Sequence, residues 1–267
     1  MFRSTLLAGV AVATAFLAET SLNAQPAPEA TPLAKQVATL EERITREDKI
    51  LQDWPNLARY REANAALAAV KDEARVVFMG DSITDIWAQP QLGIFFPGKP
   101  YVGRGIGGQT TPQMLVRFRP DVIALKPKVV VILAGTNDIA GNTGPMSPED
   151  IEANLASMSE LAHANKIAVV LSSVLPVFDG GHTSDGRPLV MTDRRPPEKI
   201  LALNRWIKTY AVEHGDIYLD YFQAMVDDHG FLKKELSEDG LHPNKAGYAV
   251  MTPLAEKAIV EATAKSK

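Results

Sequence analysis

Ser82 stands in Gly80-Asp81-Ser82, directly after the apolar run Val76-Val77-Phe78-Met79, and far downstream Asp239 precedes His242 by three positions. These residue types can build a nucleophile together. A serine hydroxyl is too weak alone at neutral pH; an imidazole can take its proton, and a carboxylate can hold the ring in the tautomer that does so. Between the two blocks lie Gly105-Ile106-Gly107-Gly108 and Gly135-Thr136-Asn137-Asp138, each after a strand-like run. Acyl transfer places negative charge on a former carbonyl oxygen, and a fixed donor there contributes about 3–4 kcal/mol. The amides of Ser82 and Gly108 and the side chain of Asn137 are the candidate donors. Glycine leaves its amide unobstructed, and an asparagine amide donates without titrating.

Each block also has a plainer reading. Ser82 and Asn137 can cap helices, Gly107-Gly108 can be a tight turn, and Asp239 with His242 can sit on a surface turn that Gly240 sharpens. Asp81 reads as a turn or cap residue rather than an acid catalyst. What joins the blocks is position. In open parallel sheets ligands bind beyond the carboxyl ends of the strands, and all four blocks fall there.

The elements that must place them alternate along the chain. Strand-like runs at 75–79, 101–104, 129–133, 167–173 and 217–219 interleave with helical patterns at 112–119, 148–165, 197–213 and 243–264. Strands apolar on both faces predict an α/β fold with a central parallel sheet of about five strands, covered on two sides. Pro148 and Pro243 suit first helical turns. Before residue 75, Val37, Leu40, Ile44 and Leu51 follow helical spacing, and a second helix is expected from near Pro55, with Tyr60, Leu67 and Val70 on its apolar side. Packing of this region on the main domain is the plainer expectation, self-association into a homo-oligomer the sharper one. Segment 177–197, with Gly180, Gly181, Gly186, Pro188, Pro196 and Pro197, is long for a connection and reads as a substrate rim or a surface excursion.

Composition removes several classes of function. The 267 residues are 46% hydrophobic with a net charge of −4 and no basic tract, which argues against nucleic acid as a partner. Without cysteine there is no disulfide, zinc-thiolate site or thiol nucleophile. His163, His182, His214 and His229 are scattered with no i, i+4 pair, so no metal is expected. Gly103-Arg104-Gly105-Ile106-Gly107-Gly108 fits the dinucleotide fingerprint, but that fingerprint belongs at the first strand-to-helix turn, which here carries Gly-Asp-Ser. Residues 93–99 approach a phosphate loop, yet Pro100 replaces the hydroxyl that would meet magnesium; no cofactor is implied. No G-x-S-x-G occurs. Trp87 and His182 are candidate substrate contacts; Trp87, Phe95, Phe96 and Tyr101 could line an acyl or leaving-group pocket, although aromatics so placed are more often core, and a histidine in a long loop is more often solvated.

Arg3, the mostly apolar stretch 6–18 and Leu22-Asn23-Ala24 read as an export signal cut after Ala24, the stretch being shorter than the roughly 20 apolar residues of a membrane span. The expected layout is a signal peptide over 1–24, a linker and helical extension over 25–74 and the main domain over 75–267, in a secreted or periplasmic protein.

In their order, the four blocks resemble those of the SGNH (GDSL-type) hydrolase superfamily, and 105–111 and 126–131 resemble its platelet-activating-factor acetylhydrolase catalytic-subunit branch. The resemblance covers residues 75–260. It implies a three-layer α/β/α, flavodoxin-like fold and metal-free, cofactor-free hydrolysis of esters or thioesters. It puts the nucleophile at Ser82, the family's glycine at Gly108, its asparagine at Asn137 and its D-x-x-H pair at Asp239 and His242. The branch implies short acyl groups, acetyl in particular, carried by a small-molecule or polysaccharide ester. Ile83 stands where the family name has leucine, and Gln109 where many relatives carry aspartate. An acyltransferase, or a silent carbohydrate- or lipid-binding module, would share this fold; a silent module would be expected to have lost a block, and none is lost.

Overall fold

The computed structural model describes residues 32–69, 74–182 and 186–265. The expected signal peptide, the start of the linker and Val70 lie outside them. The chain divides after Glu47, and the larger unit, Asp48–Lys267, holds the sheet and everything described below apart from the first helix.

Five short runs of aliphatic residues make the sheet: β1 (Val76–Gly80), β2 (Tyr101–Gly105), β3 (Val129–Leu133), β4 (Ala168–Ser172) and, after two further strands given below, a last one at Ile217–Leu219. All pair in parallel, in the order β2-β1-β3-β4 and then the last strand. Alternation along each strand divides the core in two. Val77, Met79, Val130, Ile132, Val169 and Leu171 face one side; Val76, Phe78, Val129, Val131, Leu133 and Val170 face the other. Burying both faces of a parallel sheet requires helices on each, and the sequence supplies them.

Helices α1 (Pro32–Gln52) and α2 (Arg61–Ala68) precede the sheet, α3 (Ser82–Trp87) follows β1, α4 (Thr111–Asp121) follows β2, and α5 (Thr136–Ile139) and α6 (Pro148–Ala164) both follow β3. After β4 come a small antiparallel pair, β5 (Gly181–His182) with β6 (Pro188–Leu189), then α7 (Met191–Arg194) and α8 (Pro197–His214). The last sheet strand is thus β7, followed by α9 (Tyr221–Met225) and α10 (Lys245–Lys265). Met114 and Phe118 of α4, Ile151 and Leu155 of α6 and Ile200, Leu203 and Ile207 of α8 cover the first face. Ile83 and Trp87 of α3, Tyr221 and Met225 of α9 and Met251 and Ala255 of α10 cover the second. The result is the three-layer α/β/α arrangement with a five-stranded parallel sheet.

Several expectations need correcting at their edges. The second helix starts at Arg61, not near Pro55; Pro55 lies in a turn stapled by Asp53, whose two carboxylate oxygens accept from the amides of Leu57 (2.8 Å) and Ala58 (2.9 Å). Pro148 does occupy a first helical turn. Pro243 does not: the last helix starts at Lys245, with the Asn244 Oδ1 accepting from the amides of Ala246 and Gly247. Trp87 lines no pocket. It is 1% exposed, stacked on Tyr248 and edge-on to Phe78, and Phe95, Phe96 and Tyr101 crowd the same Phe78 ring. Trp87 and Phe96 are core, and Phe95 and Tyr101 are half-buried against it.

Candidate active site

Three strand ends deliver the first residues of the site. β1, β2 and β3 are adjacent and in register, so the turns after Gly80, Gly105 and Leu133 open side by side at one edge of the sheet. The order β2-β1-β3 means the chain leaves β1 on one side and returns on the other, which opens a crevice there. Asp81 caps α3 by accepting from the Ile83 amide (2.9 Å), so Ser82 is the first residue of the helix and not its cap. The fourth segment arrives from the turn before α10. Gly240 permits that turn: its φ is +83°, and a Cβ there would lie 2.1 Å from the Phe178 carbonyl oxygen.

These segments converge. The Ser82 Oγ lies 2.8 Å from His242 Nε2, and His242 Nδ1 lies 2.6 Å from Asp239 Oδ2. The other oxygen of Asp239 accepts from the amides of Leu241 (2.9 Å) and His242 (2.8 Å) and from the Ser237 hydroxyl (3.2 Å). Burial raises the Asp239 carboxyl, but the His242 ring and those two amides outweigh it and hold the group well below the usual carboxylate range. A permanently charged carboxylate on Nδ1 keeps the proton there and leaves Nε2 free to accept from Ser82. A second aspartate–histidine contact shows what is special here. His163 Nε2 meets Asp216 Oδ1 at 2.7 Å at the opposite edge of the sheet, but Ser159 donates to the aspartate (2.6 Å) and not to the ring. That order moves no proton off serine.

Beside Ser82, Gly108 adopts φ +76°, and among the described residues neither its amide nor that of Ser82 has a hydrogen-bond partner. Asn137 is 3% exposed, and its Nδ2 donates to the Gln109 carbonyl (3.0 Å), which leaves its second hydrogen unassigned. Two amides and one asparagine hydrogen are thereby left without a partner among the described residues. His182 is exposed on β5 and bonds to none of these residues; its neighbour Gly181 packs on the Asp239 backbone.

Residues that composition and spacing did not reveal hold this geometry. Arg117, fully buried, donates to the carbonyls of Gly80 (2.8 Å) and Arg104 (2.8 Å), to Gln109 Oε1 (2.5 Å) and to Asp121 (3.0 Å). It ties the ends of β1 and β2 to the turn carrying Gly108. The stretch before α2 braces the same turn: Gln109 Nε2 donates to the Pro55 carbonyl (2.7 Å), Gln113 Nε2 to the Trp54 carbonyl (2.7 Å), and the Tyr60 hydroxyl to the Gly105 carbonyl. Asn64 of α2 links Asp121 (2.6 Å) with Arg104 (2.8 Å). The part of the expected extension from Asp53 onward is therefore a support of the site. Glutamine at position 109 makes this bridge possible with one acceptor and one donor.

Asp81 carries a testable consequence. Its Oδ2 is buried without a partner, and burial pushes the carboxyl up to about 6 against the Ile83 amide and the charges of His242 and Arg195. The folded protein therefore keeps a proton that the unfolded chain releases near pH 4. Stability falls as pH rises from about 4 through 6, by on the order of 3 kcal/mol for this group. Asp81→Asn keeps an acceptor for Ile83 and cannot ionise. Denaturant titrations from pH 4 to 7.5 are expected to show a shallower decline in the variant; an unchanged slope would mean that Asp81 does not titrate in that window.

Residues 78–250 match the profile of the GDSL-like lipase/acylhydrolase family. A GDSL-like lipase of known structure from Bacteroides thetaiotaomicron VPI-5482 is 44% identical, with a TM-score of 0.70 over 79% of this chain and 100% of that one. An acetylxylan esterase from Geobacillus stearothermophilus shares the fold at 21% identity, with a TM-score of 0.54 over 71% of this chain and 96% of that one. The lipoprotein YqeF of Bacillus subtilis (strain 168), uncharacterised in function, is 37% identical over 79 residues; the match spans 28% of this chain and only 32% of that protein. With the family profile running from β1 into α10 and a 44% identical relative matched over its whole length, this chain belongs to the GDSL-like lipase/acylhydrolase family.

Proposed function

We propose that the protein is a serine esterase that cleaves carboxylic esters of short acyl groups, acetyl above all, through an acyl-enzyme. The observation that carries this reading is the continuous chain from Ser82 Oγ through His242 to Asp239. His242 Nε2 takes the hydroxyl proton as Ser82 Oγ attacks the ester carbonyl. The resulting oxyanion is held by the amides of Ser82 and Gly108 and the free hydrogen of Asn137 Nδ2. His242 then gives the proton to the departing alkoxide, which leaves as the alcohol with the acyl group on Ser82. A water, deprotonated by the same ring, attacks the acyl-enzyme and releases the acid. Asp239 stabilises the imidazolium in both halves and never takes the proton.

Preference for a short acyl group follows the branch that the sequence resembles, and the fold shared with an acetylxylan esterase is in keeping with it. Export rests on residues 1–24 and on the partial likeness to a protein named a lipoprotein. The test is a series of p-nitrophenyl esters from acetyl to octanoyl, with the protein acid-quenched during turnover and its acylated peptide mapped by mass spectrometry. Highest kcat/KM for acetyl and a modification at Ser82 are expected. Turnover that leaves another residue acylated, or no turnover of any ester, would overturn the reading.

A further inference from the structure

Beside the histidine lies a cleft of about 350 Å³ lined by Ile86, Leu92, Ile94, Pro243 and Tyr248, with Asp239 and His242 in its wall and Glu238 and Lys245 among its remaining lining residues. Ile86 is four residues after Ser82 on α3, so it shares the helix face of the hydroxyl about 6 Å along. None of the oxyanion donors lines the cleft. A substrate whose carbonyl oxygen points to Gly108 and Asn137 must also place its leaving oxygen within reach of His242 Nε2. Its alcohol portion then runs past the ring into this cleft.

The walls say what that alcohol is. Nearly every buried polar group there is already engaged. Tyr248 donates its hydroxyl to the Ile83 carbonyl (2.8 Å), and both ends of the Asn244 amide are bonded to backbone. The Asp239 oxygens are bound to His242 and the turn amides. Glu238 and Lys245 are solvent-exposed. A polyol in the cleft would surrender bonds to water with few replacements, whereas an apolar group would bury its surface against Ile86, Leu92 and Ile94. Resting on the esterase reading, we propose that this cleft is the leaving-group site and that the substrates are esters of apolar, aryl or alkyl alcohols in preference to acetylated sugars.

The experiment compares 2-naphthyl acetate, ethyl acetate and acetylated xylo-oligosaccharide on the native protein and on Leu92→Asn and Ile94→Asn. The naphthyl-to-ethyl ratio of kcat/KM is expected to fall about fivefold to tenfold in the variants, the scale of one lost apolar contact. An unchanged ratio, or a native protein that favours the oligosaccharide over ethyl acetate, would overturn the proposal while leaving the esterase reading intact. Failure to hydrolyse any acetate would remove both.

A different set of contacts assigns a task to the long segment before α8. Arg195, 5% exposed, donates through Nε to Thr136 Oγ1 (3.1 Å) and through Nη2 to Asn137 Oδ1 (3.2 Å). The amide of Asn137 therefore has its oxygen on a cation and its nitrogen on the Gln109 carbonyl. Rotating that amide by 180° would set donor against donor and acceptor against acceptor. We infer that Arg195 is a positioning residue: it locks Asn137 with a hydrogen aimed at the oxyanion and, as a buried positive charge, makes that hydrogen a stronger donor. Arg195→Ala is expected to lower kcat about tenfold to hundredfold with KM little changed, and millimolar guanidinium should restore part of it. Arg195→Lys, which keeps the charge without the planar fork, should fall between. Unchanged kcat, or a loss that neither guanidinium nor lysine relieves, would overturn the assignment.

Discussion

Ser82→Ala is expected to lower kcat/KM for p-nitrophenyl acetate by about 10⁴- to 10⁶-fold while leaving the fold in place. The structure separates this outcome from its rival. If Ser82 were a helix cap, its loss would cost about 1 kcal/mol of stability and leave activity alone. Asp81 is the cap, however, and among the described residues the Ser82 hydroxyl bonds only to His242. Removing it breaks no bond that holds the start of the helix, since the cap runs from the Ile83 amide to Asp81. The melting temperature should shift by no more than a few degrees, and circular dichroism should be unchanged. A variant that melts much earlier but retains its turnover per folded molecule would return Ser82 to the capping role.

The strands, and the blocks whose Ser82, His242 and Asp239 the structure brings together, were legible because both signals are local. Val129–Leu133 is apolar at every position, as a strand buried on two faces must be, and Gly240 marks a turn between Asp239 and His242, which stand three positions apart. Trp87 was misplaced for a reason the sequence already contains. On a helix beginning at Ser82, residue 87 lies about 140° around from the serine and residue 86 only about 40°. Trp87 must then face the sheet, while Ile86 faces the cleft. The start of α3 was needed to see this, and short helices such as Ser82–Trp87, Thr136–Ile139 and Tyr221–Met225 carry too few residues for periodicity to declare them.

Support of the site was not legible at all. Tyr60, Asn64, Gln109, Arg117 and Arg195 are polar residues whose partners lie up to 59 positions away, and nothing in a polar residue's type says that it will be buried. The same holds for the segment before Arg61, which spacing offered as the start of a helix. It forms instead a turn whose carbonyls, at Trp54 and Pro55, receive the side chains of Gln113 and Gln109. The geometry of the candidate site rests on this non-local layer as much as on the motif residues, and in an esterase a donor displaced by about 1 Å can forfeit much of its effect on the transition state.

Asp239→Asn is expected to cost about 10⁴-fold in kcat, with KM close to native, and its cause can be followed atom by atom. Three donors surround Asp239 Oδ1: the amides of Leu241 and His242 and the Ser237 hydroxyl. An asparagine must keep its oxygen there, so its NH₂ faces His242 Nδ1. The ring can then avoid a donor–donor contact only by moving its proton to Nε2, where it meets Ser82 as a donor and can no longer accept. The hydroxyl stays protonated, and the nucleophile is lost although every heavy atom remains in place. Stability gives an independent check of sign. The Asp239 carboxyl is held below its unfolded value, so its ionised form stabilises the fold above the ordinary carboxylate range, a contribution lost on acidification. Asp239→Asn should therefore be less stable than the native protein at pH 7, with the gap closing as pH falls. Asp81→Asn should show the opposite trend, since the Asp81 carboxyl is raised. A kcat within tenfold of native for Asp239→Asn would mean that His242 keeps its tautomer without the carboxylate, and the three-residue proton path would have to be abandoned.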